Sequence, residues 1–208
     1  MALRPIIFLA LSSILLSSCT YHKFASQKTL SEQKITVDNL QPVIPPEGKS
    51  VKYKANVDIL KNHFTGLIVL KQTDETTKHL VFVTELGMRM FDFEMKGDSM
   101  RPFFVFPALN KPKLINALVR SFNSMLLIEW FNNKVEVKGK TGEEILYLKN
   151  GKRNLFMKSN AQHFATDLRV FNKRKKESKT IYTNDYDSIK LKQYGLVKLY
   201  IELEKVKE

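Results

Sequence analysis

The sequence predicts a mainly β protein, built as a strongly curved antiparallel sheet (a half-open barrel of about ten strands) with one long inserted helix covering the concave face. Three observations predict this fold. Short apolar segments alternate with turn signals from residue 51 onward. Hairpin-sized connections such as Asn150-Gly151 make neighbouring strands antiparallel. A sheet with that many strands must curl, close or split, and the single segment with helical periodicity can cover its concave side.

The predicted strands are runs rich in β-branched and aromatic residues, or segments in which apolar and polar residues alternate. In chain order they cover residues 51–60, 64–71, 79–85, 88–95, 99–109, 135–138, 143–149, 153–159, 164–171, 180–183, 189–194 and 196–206. The last segment alternates most regularly, with Val197, Leu199 and Ile201 facing inward. The segment Lys173–Lys179 holds five Lys or Arg in seven residues and is predicted to be a charged turn.

The predicted helix covers residues 111–128. Asn110 is a suitable N-terminal cap and Pro112 suits the first turn. Apolar residues then recur at helical spacing, namely Leu114, Ile115, Leu118, Val119, Phe122, Met125 and Leu126. The apolar stripe is wide and the polar face is narrow, which is typical of a helix that lies against a sheet.

The N-terminus has the layout of an export signal. Arg4 is followed by an apolar run over residues 6–16 and then by Ser17-Ser18-Cys19, which contains the only cysteine. That run is shorter than the roughly 20 residues that span a membrane. The segment resembles the lipobox of bacterial lipoproteins. The resemblance implies that residues 1–18 are a signal peptide and that the Cys19 thiol carries the lipid that anchors the protein to the membrane.

Two further expectations follow from this segment. In some Gram-negative bacteria, an Asp directly after the lipidated Cys resembles a signal for retention in the inner membrane. This chain has Thr20 there, so we expect the protein to be anchored at the periplasmic face of the outer membrane and not in the inner membrane. The alternative to a lipoprotein signal is a buried N-terminal helix or an uncleaved anchor. That alternative leaves an unmodified thiol in an exported protein that has no second cysteine to pair with it.

The rest of the chain divides into a connecting segment and one domain. Residues 19–48 are predicted to be a lipidated tether, and residues 49–208 a single curved-sheet domain. Gln41–Gly48 contains three prolines and a glycine, so we expect no regular structure there. A short helix within residues 30–40 that packs on the domain is the alternative to a free tether.

The charge balance indicates an anionic partner. Lys and Arg number 34 against 21 Asp and Glu, which gives a formal net charge of +13. Lipid headgroups and lipopolysaccharide-like glycans are suitable partners outside the cytoplasm, whereas nucleic acid is not expected there. An ordinary lysine-rich surface is the alternative interpretation.

The residues that carry catalysis or bind metals do not form a recognisable pattern, so we predict no enzyme activity, no metal and no cofactor. The four histidines are not at metal-ligand spacing, and no nucleophile-elbow pattern is present. Glu85, Asp92 and Glu94 lie on neighbouring predicted strands, which is how glycosidase carboxylate pairs arise. The simpler interpretation places Asp92 and Glu94 on a solvated face.

Several features together resemble a known superfamily. The lipobox, the proline-containing tether, the antiparallel strands and the interrupting helix look like the lipoprotein carrier and receptor superfamily (LolA/LolB-like). Phe64–Leu67, Phe82–Gly87 and Met90–Glu94 are also similar to small lipoproteins of Bacteroidetes-type bacteria. The resemblance implies an apolar cavity between sheet and helix that holds acyl chains.

Phenylalanine and methionine side chains on the middle strands and the helix are the candidate lining of such a cavity, and they suit an ordinary core equally well. They are Phe91, Phe93, Met95, Phe104, Phe106, Leu118, Phe122 and Met125. The expected function is that of a monomeric, membrane-anchored lipoprotein that binds lipid or lipoprotein acyl chains in envelope lipid handling. The alternative is a structural or accessory envelope lipoprotein that acts through protein–protein contacts.

Overall fold

The computed structural model of the protein describes residues 20–207, apart from residues 98, 132, 141, 142, 184 and 196. They form one antiparallel sheet of 13 strands with one longer helix, α1 (Pro112–Met125). The strands are β1 (Thr29–Lys34), β2 (Ser50–Ile59), β3 (Asn62–Gln72), β4 (Thr77–Thr84), β5 (Arg89–Lys96), β6 (Ser99–Val105), β7 (Lys134–Lys140), β8 (Glu143–Asn150), β9 (Arg153–Ser159), β10 (Ala165–Asn172), β11 (Lys175–Thr183), β12 (Ser188–Gln193) and β13 (Leu199–Lys205). The predicted mainly β architecture is confirmed.

The sheet is continuous and unclosed. Its spatial order is β1-β7-β8-β9-β10-β11-β12-β13-β2-β3-β4-β5-β6, so β1 and β6 are the two edges. Strands that are neighbours in the sheet are also consecutive in the chain and form hairpins, except that β1 pairs with β7 and β13 pairs with β2. In that second pair Leu203 lies opposite Ala55, which joins the end of the chain to the first long strand.

The sheet curves around α1. On one side, the Phe122 ring lies 5.5 Å from the Phe91 ring of β5. On the other side, the Tyr182 hydroxyl of β11 donates to the carbonyl oxygen of Met125 at 2.9 Å. β5 and β11 are six strands apart in the sheet, which is about 29 Å in a flat sheet, whereas a helix with its side chains is roughly 10–12 Å wide. One helix contacts both strands only because the sheet is strongly curved, as the sequence predicted.

The ends of α1 differ from the prediction. Its N-cap is Lys111, not Asn110, and no side chain caps it. The helix ends at Met125 instead of residue 128, because Leu127 adopts a left-handed conformation with φ of +60°. A 3₁₀ turn over Ile128–Trp130 follows. Residues 126–128 are buried. The apolar pattern of the sequence therefore continues beyond the helix, although the backbone changes direction at Leu127.

The segment before β2 belongs to the folded domain and is not the free tether that the sequence predicted. Ile35 and Leu40 are fully buried in the main core, and residues 29–34 form edge strand β1 in place of the alternative short helix. β1 pairs with β7 through its backbone while five of its six residues are exposed. Its sequence therefore lacks apolar alternation. Gln41–Gly48 has neither helix nor strand, as predicted.

A second, smaller core lies on the opposite face of β8, β9 and β10. Residues 20–25 are helical, and Phe24 packs there against Phe156 and Phe171. The Tyr21 ring meets the Phe171 ring at 5.4 Å. Because successive side chains of a strand point to opposite faces, Phe156 is available to this cluster while its neighbours in β9 face the main core.

The Tyr186 hydroxyl links the segment before β2 to the sheet by hydrogen bonds. Its hydroxyl accepts a hydrogen bond from the Ala165 N–H at 3.0 Å and donates to the Gln41 carbonyl oxygen at 2.8 Å. The Tyr53 hydroxyl donates to the Tyr186 carbonyl oxygen at 3.1 Å. Burial raises the pKa of the Tyr186 phenol from 10.0 to about 12.

We expect the protein to lose stability as pH rises from about 10 to about 12. The raised pKa means that the folded state favours the neutral Tyr186 phenol, so this contribution is complete below pH 10 and disappears as the pH passes the folded-state pKa. Urea unfolding across this range measures the loss. Tyr186→Phe should flatten the decline, since the variant keeps the buried Tyr53 and Tyr182 but has no phenol to ionise at position 186. Equal slopes for the two proteins would contradict the assignment.

The predicted charged turn Lys173–Lys179 is wrong in extent. Only Lys173-Arg174 connect β10 to β11, and β11 begins at Lys175. Ser178 and Thr180 are buried, so the segment alternates as a strand does. This alternation is not visible in the hydropathy pattern, because the inward positions hold small polar residues and lie within a run of cations.

Candidate ligand-binding site

A cavity of about 1070 Å³ opens between α1 and the ends of β10, β11, β12 and β13. We call it the basic pocket. Its residues come from one face of the helix, from the β10–β11 hairpin and from the β12–β13 connection. Its described lining is Lys113, Asn116, Ala117, Arg120, Asn172, Lys173, Arg174, Lys175, Lys176, Glu177, Gln193, Tyr194, Gly195 and Val197.

α1 places a row of side chains along one wall of the basic pocket. Lys113, Asn116 and Arg120 are exposed and lie three or four residues apart, which puts them on one helix face. Ala117, between them, is buried at the base of that wall. The Ser121 hydroxyl hydrogen-bonds the side-chain oxygen of Gln193, which fixes α1 to β12 beside the pocket.

The β10–β11 hairpin forms the opposite wall. The Lys173 N–H donates to the Lys152 carbonyl oxygen at 2.7 Å, and the Asn154 side-chain amide donates to the Lys173 carbonyl oxygen at 2.9 Å. Lys173 has φ of +57°, which a two-residue hairpin turn requires. The turn is therefore held by the neighbouring β8–β9 hairpin.

Tyr194 provides an aromatic surface at the base of the basic pocket. The Lys176 ammonium lies 4.4 Å from the centre of its ring. The Tyr194 N–H donates to the Glu177 carbonyl oxygen at 2.8 Å, which attaches the β12–β13 connection to β11. With Ala117 and Val197, this ring makes an apolar floor beneath a charged rim.

The rim is strongly cationic. Its cations are Lys113, Arg120, Lys173, Arg174, Lys175 and Lys176. None of them forms an ion pair with another described residue. Glu177 is the one acidic residue of the described lining, and its carboxylate faces Arg153 Nε at 3.2 Å. An anion that enters the pocket meets positive charge from both walls.

The eight residues predicted to line an acyl cavity lie in or beside the core and not in the basic pocket. Six are fully or almost fully buried, namely Phe91, Phe93, Met95, Leu118, Phe122 and Met125. The Phe93 and Phe122 rings are 5.8 Å apart, so these side chains pack directly on one another. Phe104 and Phe106 are half-buried, and the Arg89 guanidinium lies 4.5 Å from the Phe104 ring centre. Their role as cavity lining stays a prediction.

The carboxylates on the middle strands are engaged by cations. Asp92 is buried and lies 3.1 Å from His79 Nδ1 and 3.6 Å from the Arg89 guanidinium, so its predicted place on a solvated face is wrong. The Arg101 guanidinium donates to Glu94, and this hydrogen bond holds the pKa of Glu94 below its ordinary value. A glycosidase acid needs a raised pKa instead, so Glu94 does not suit that role.

Three further findings concern the lipidation site, metal ligands and membrane-spanning helices. Cys19 and the signal segment 1–18 fall on residues that are not described, so lipidation stays a prediction. Among the described residues, no three His, Cys, Asp or Glu side chains are grouped so that they could hold a metal ion. No described helix is long and apolar enough to cross a membrane.

One feature of the sequence indicates the basic pocket, and that feature is the cation run at Lys173–Lys176. Its position opposite Lys113 and Arg120 of α1 arises only from the fold, because more than fifty residues separate the two walls along the chain.

Comparisons with known proteins find solved structures that resemble this chain. No family model matches the chain, and no curated protein matches it. The crystal structure of LolA superfamily protein NE2245 from Nitrosomonas europaea is similar to this chain, with a TM-score of 0.48 and 8% sequence identity. The match covers 79% of this chain and 86% of that one.

Proposed function

We propose that the protein is a lipoprotein, anchored through Cys19 at the periplasmic face of the outer membrane, that binds lipid or lipoprotein acyl chains in envelope lipid handling. The basic pocket carries this proposal. An open cavity with a cationic rim and an apolar floor suits an amphiphile with an anionic end. The sequence resemblance to lipoprotein carriers and receptors implies a ligand of the same kind.

Binding is reversible and needs no reaction. The rim cations pair with the anionic headgroup, and the apolar part lies along Ala117, Tyr194 and Val197. Each CH₂ group removed from water contributes about 0.8 kcal/mol. An acyl chain that enters beyond this apolar floor contacts Phe122 and its neighbours behind α1. To admit it, α1 acts as a lid and moves away from Gln193.

Native mass spectrometry of the gently purified protein, made without residues 1–19, tests this proposal. We expect lipid adducts on the wild-type domain and their loss in Asn116→Trp, because an exposed tryptophan on α1 fills the mouth of the basic pocket without entering the core. Gln162→Trp is the matched control, since Gln162 is exposed in the turn at the opposite end of β9 and β10. A wild-type domain that carries no lipid, even after incubation with phospholipid, would contradict lipid binding.

The second candidate is an accessory protein that acts through contacts with other envelope proteins. Three apolar side chains on the β4–β5 turn and on edge strand β6 favour it, because Leu86, Met88 and Phe103 are 90%, 46% and 67% exposed. A photoreactive residue at position 103 in living cells distinguishes the two functions. Cross-links to one envelope protein, together with a lipid-free domain, would favour the accessory role.

A further inference from the structure

The basic pocket holds more positive charge than the described residues neutralise. Its lining contributes six cationic side chains and one carboxylate, and that carboxylate already faces Arg153. Like charges that share one cavity repel each other. A ligand with two negative charges on one group therefore relieves more of this repulsion than a ligand with a single charge.

Both walls are arranged before a ligand arrives. The Lys173 backbone is bonded on both sides, to Lys152 and to Asn154, so the hairpin turn is fixed. Lys176 is held over the Tyr194 ring. Groups that are already positioned lose less conformational entropy on binding, which favours a compact and highly charged anion over a diffuse surface contact.

The N-terminus of α1 adds to the positive electrostatic potential of the basic pocket. The first turn of α1 contains no acidic residue, and its N-cap makes no side-chain hydrogen bond, so the positive end of the helix dipole is not compensated locally. Lys113 extends from that turn into the basic pocket. Two turns further along, the Arg120 guanidinium presents the planar fork that matches two oxygens of a phosphate.

We propose that the basic pocket selects a phosphomonoester, which is a phosphate dianion with three terminal oxygens, over phosphodiesters and zwitterionic headgroups. A phosphomonoester carries close to two negative charges at neutral pH, whereas a phosphodiester carries one. The inference rests on the proposed function for the acyl part of the ligand. The phosphate group itself is recognised by Lys113 and Arg120 on one wall and by Lys173–Lys176 on the other.

The test uses the full chain in a neutral detergent, titrated separately with phosphatidate, phosphatidylglycerol, phosphatidylcholine and inorganic phosphate. We expect phosphatidate to bind about tenfold more tightly than phosphatidylglycerol, and phosphatidylcholine to bind most weakly. Lys113→Ala/Arg120→Ala should weaken phosphatidate binding about tenfold and remove most of the preference. Lys54→Ala/Lys71→Ala is the control with the same loss of charge, because both lysines are exposed on β2 and β3 away from the pocket.

The outcomes separate this inference from the proposed function. Equal affinity for the three lipids, or equal effects of the two double variants, would overturn phosphate selection and leave lipid binding standing. Inorganic phosphate that binds as tightly as phosphatidate would identify a soluble phosphate as the ligand and overturn the lipid function. Binding of none of the four probes would overturn both.

Discussion

Replacing Glu129 with alanine should lower the free energy of unfolding by about 3 kcal/mol, because it removes the main partner of a largely buried arginine. The Glu129 side chain is 9% exposed and accepts hydrogen bonds from Arg153 at 2.8 Å and from the Ser124 hydroxyl at 2.8 Å. The Asn150 amide donates to it at 3.2 Å. This cluster joins the 3₁₀ turn after α1 to the β8–β9 hairpin. In the variant, Arg153 keeps Glu177 as its one described acidic partner and the Ser124 hydroxyl as a neutral one.

Urea and thermal unfolding measure the effect, which corresponds to a fall in Tm of about 6–12 °C for a domain of this size. Glu202→Ala is the matched control, because its partner Lys190 has a side chain that is 49% exposed and such pairs contribute less than about 1 kcal/mol. The double variant Glu129→Ala/Arg153→Ala should recover only part of the loss, since it removes the unpaired guanidinium but also takes Arg153 away from Glu177. Equal losses for Glu129→Ala and Glu202→Ala would show that the cluster does not stabilise the fold.

Gly66→Ala should destabilise the protein by about 3 kcal/mol, because β3 and β4 approach each other too closely at this point for a methyl group. An added Cβ would lie 2.1 Å from the Val83 carbonyl oxygen and 2.7 Å from the Thr84 Cα. Both atoms belong to the backbone, so relief requires the two paired strands to separate. Neither strand is at an edge of the sheet, so any shift passes to a neighbour on each side.

Gly87→Ala provides the comparison for Gly66→Ala. A Cβ at position 87 meets no atom within 4 Å, but the residue has φ of +78°, so alanine costs about 1 kcal/mol in backbone strain alone. Denaturant unfolding of both variants gives the order of the two effects. A smaller loss for Gly66→Ala than for Gly87→Ala would mean that the strand contact relaxes without difficulty.

The strands that the sequence predicted correctly are those with a buried face. Val57 and Ile59 of β2 alternate with exposed residues, so the period of two is visible in the sequence. β1 was missed because an edge strand that pairs through its backbone needs no apolar side chains. The start of β11 was missed because Ser178 and Thr180 hold its inward positions. Edge pairing and small polar residues in a core leave no hydropathy signal.

The candidate site was less predictable than the fold. The sequence indicates that Phe91, Phe93 and Phe122 are apolar and face one another, but close packing depends on shapes that composition does not specify. The burial of Asp92 likewise depends on His79 from the adjacent strand. The basic pocket joins a helix to two distant hairpins, and such a contact between remote segments follows only from the complete fold.

The packing of Tyr21 on Phe171 has a consequence for how a membrane-attached domain would meet its ligand. Phe171 is two residues before Lys173, so Tyr21 lies on the order of 10–15 Å from the rim of the basic pocket. If Cys19, two residues before Tyr21, carries a lipid, the pocket would be held close to the bilayer surface, and headgroups would be present at an effective concentration of about the millimolar range. A weak intrinsic affinity would then keep the pocket occupied and still allow rapid exchange of lipids.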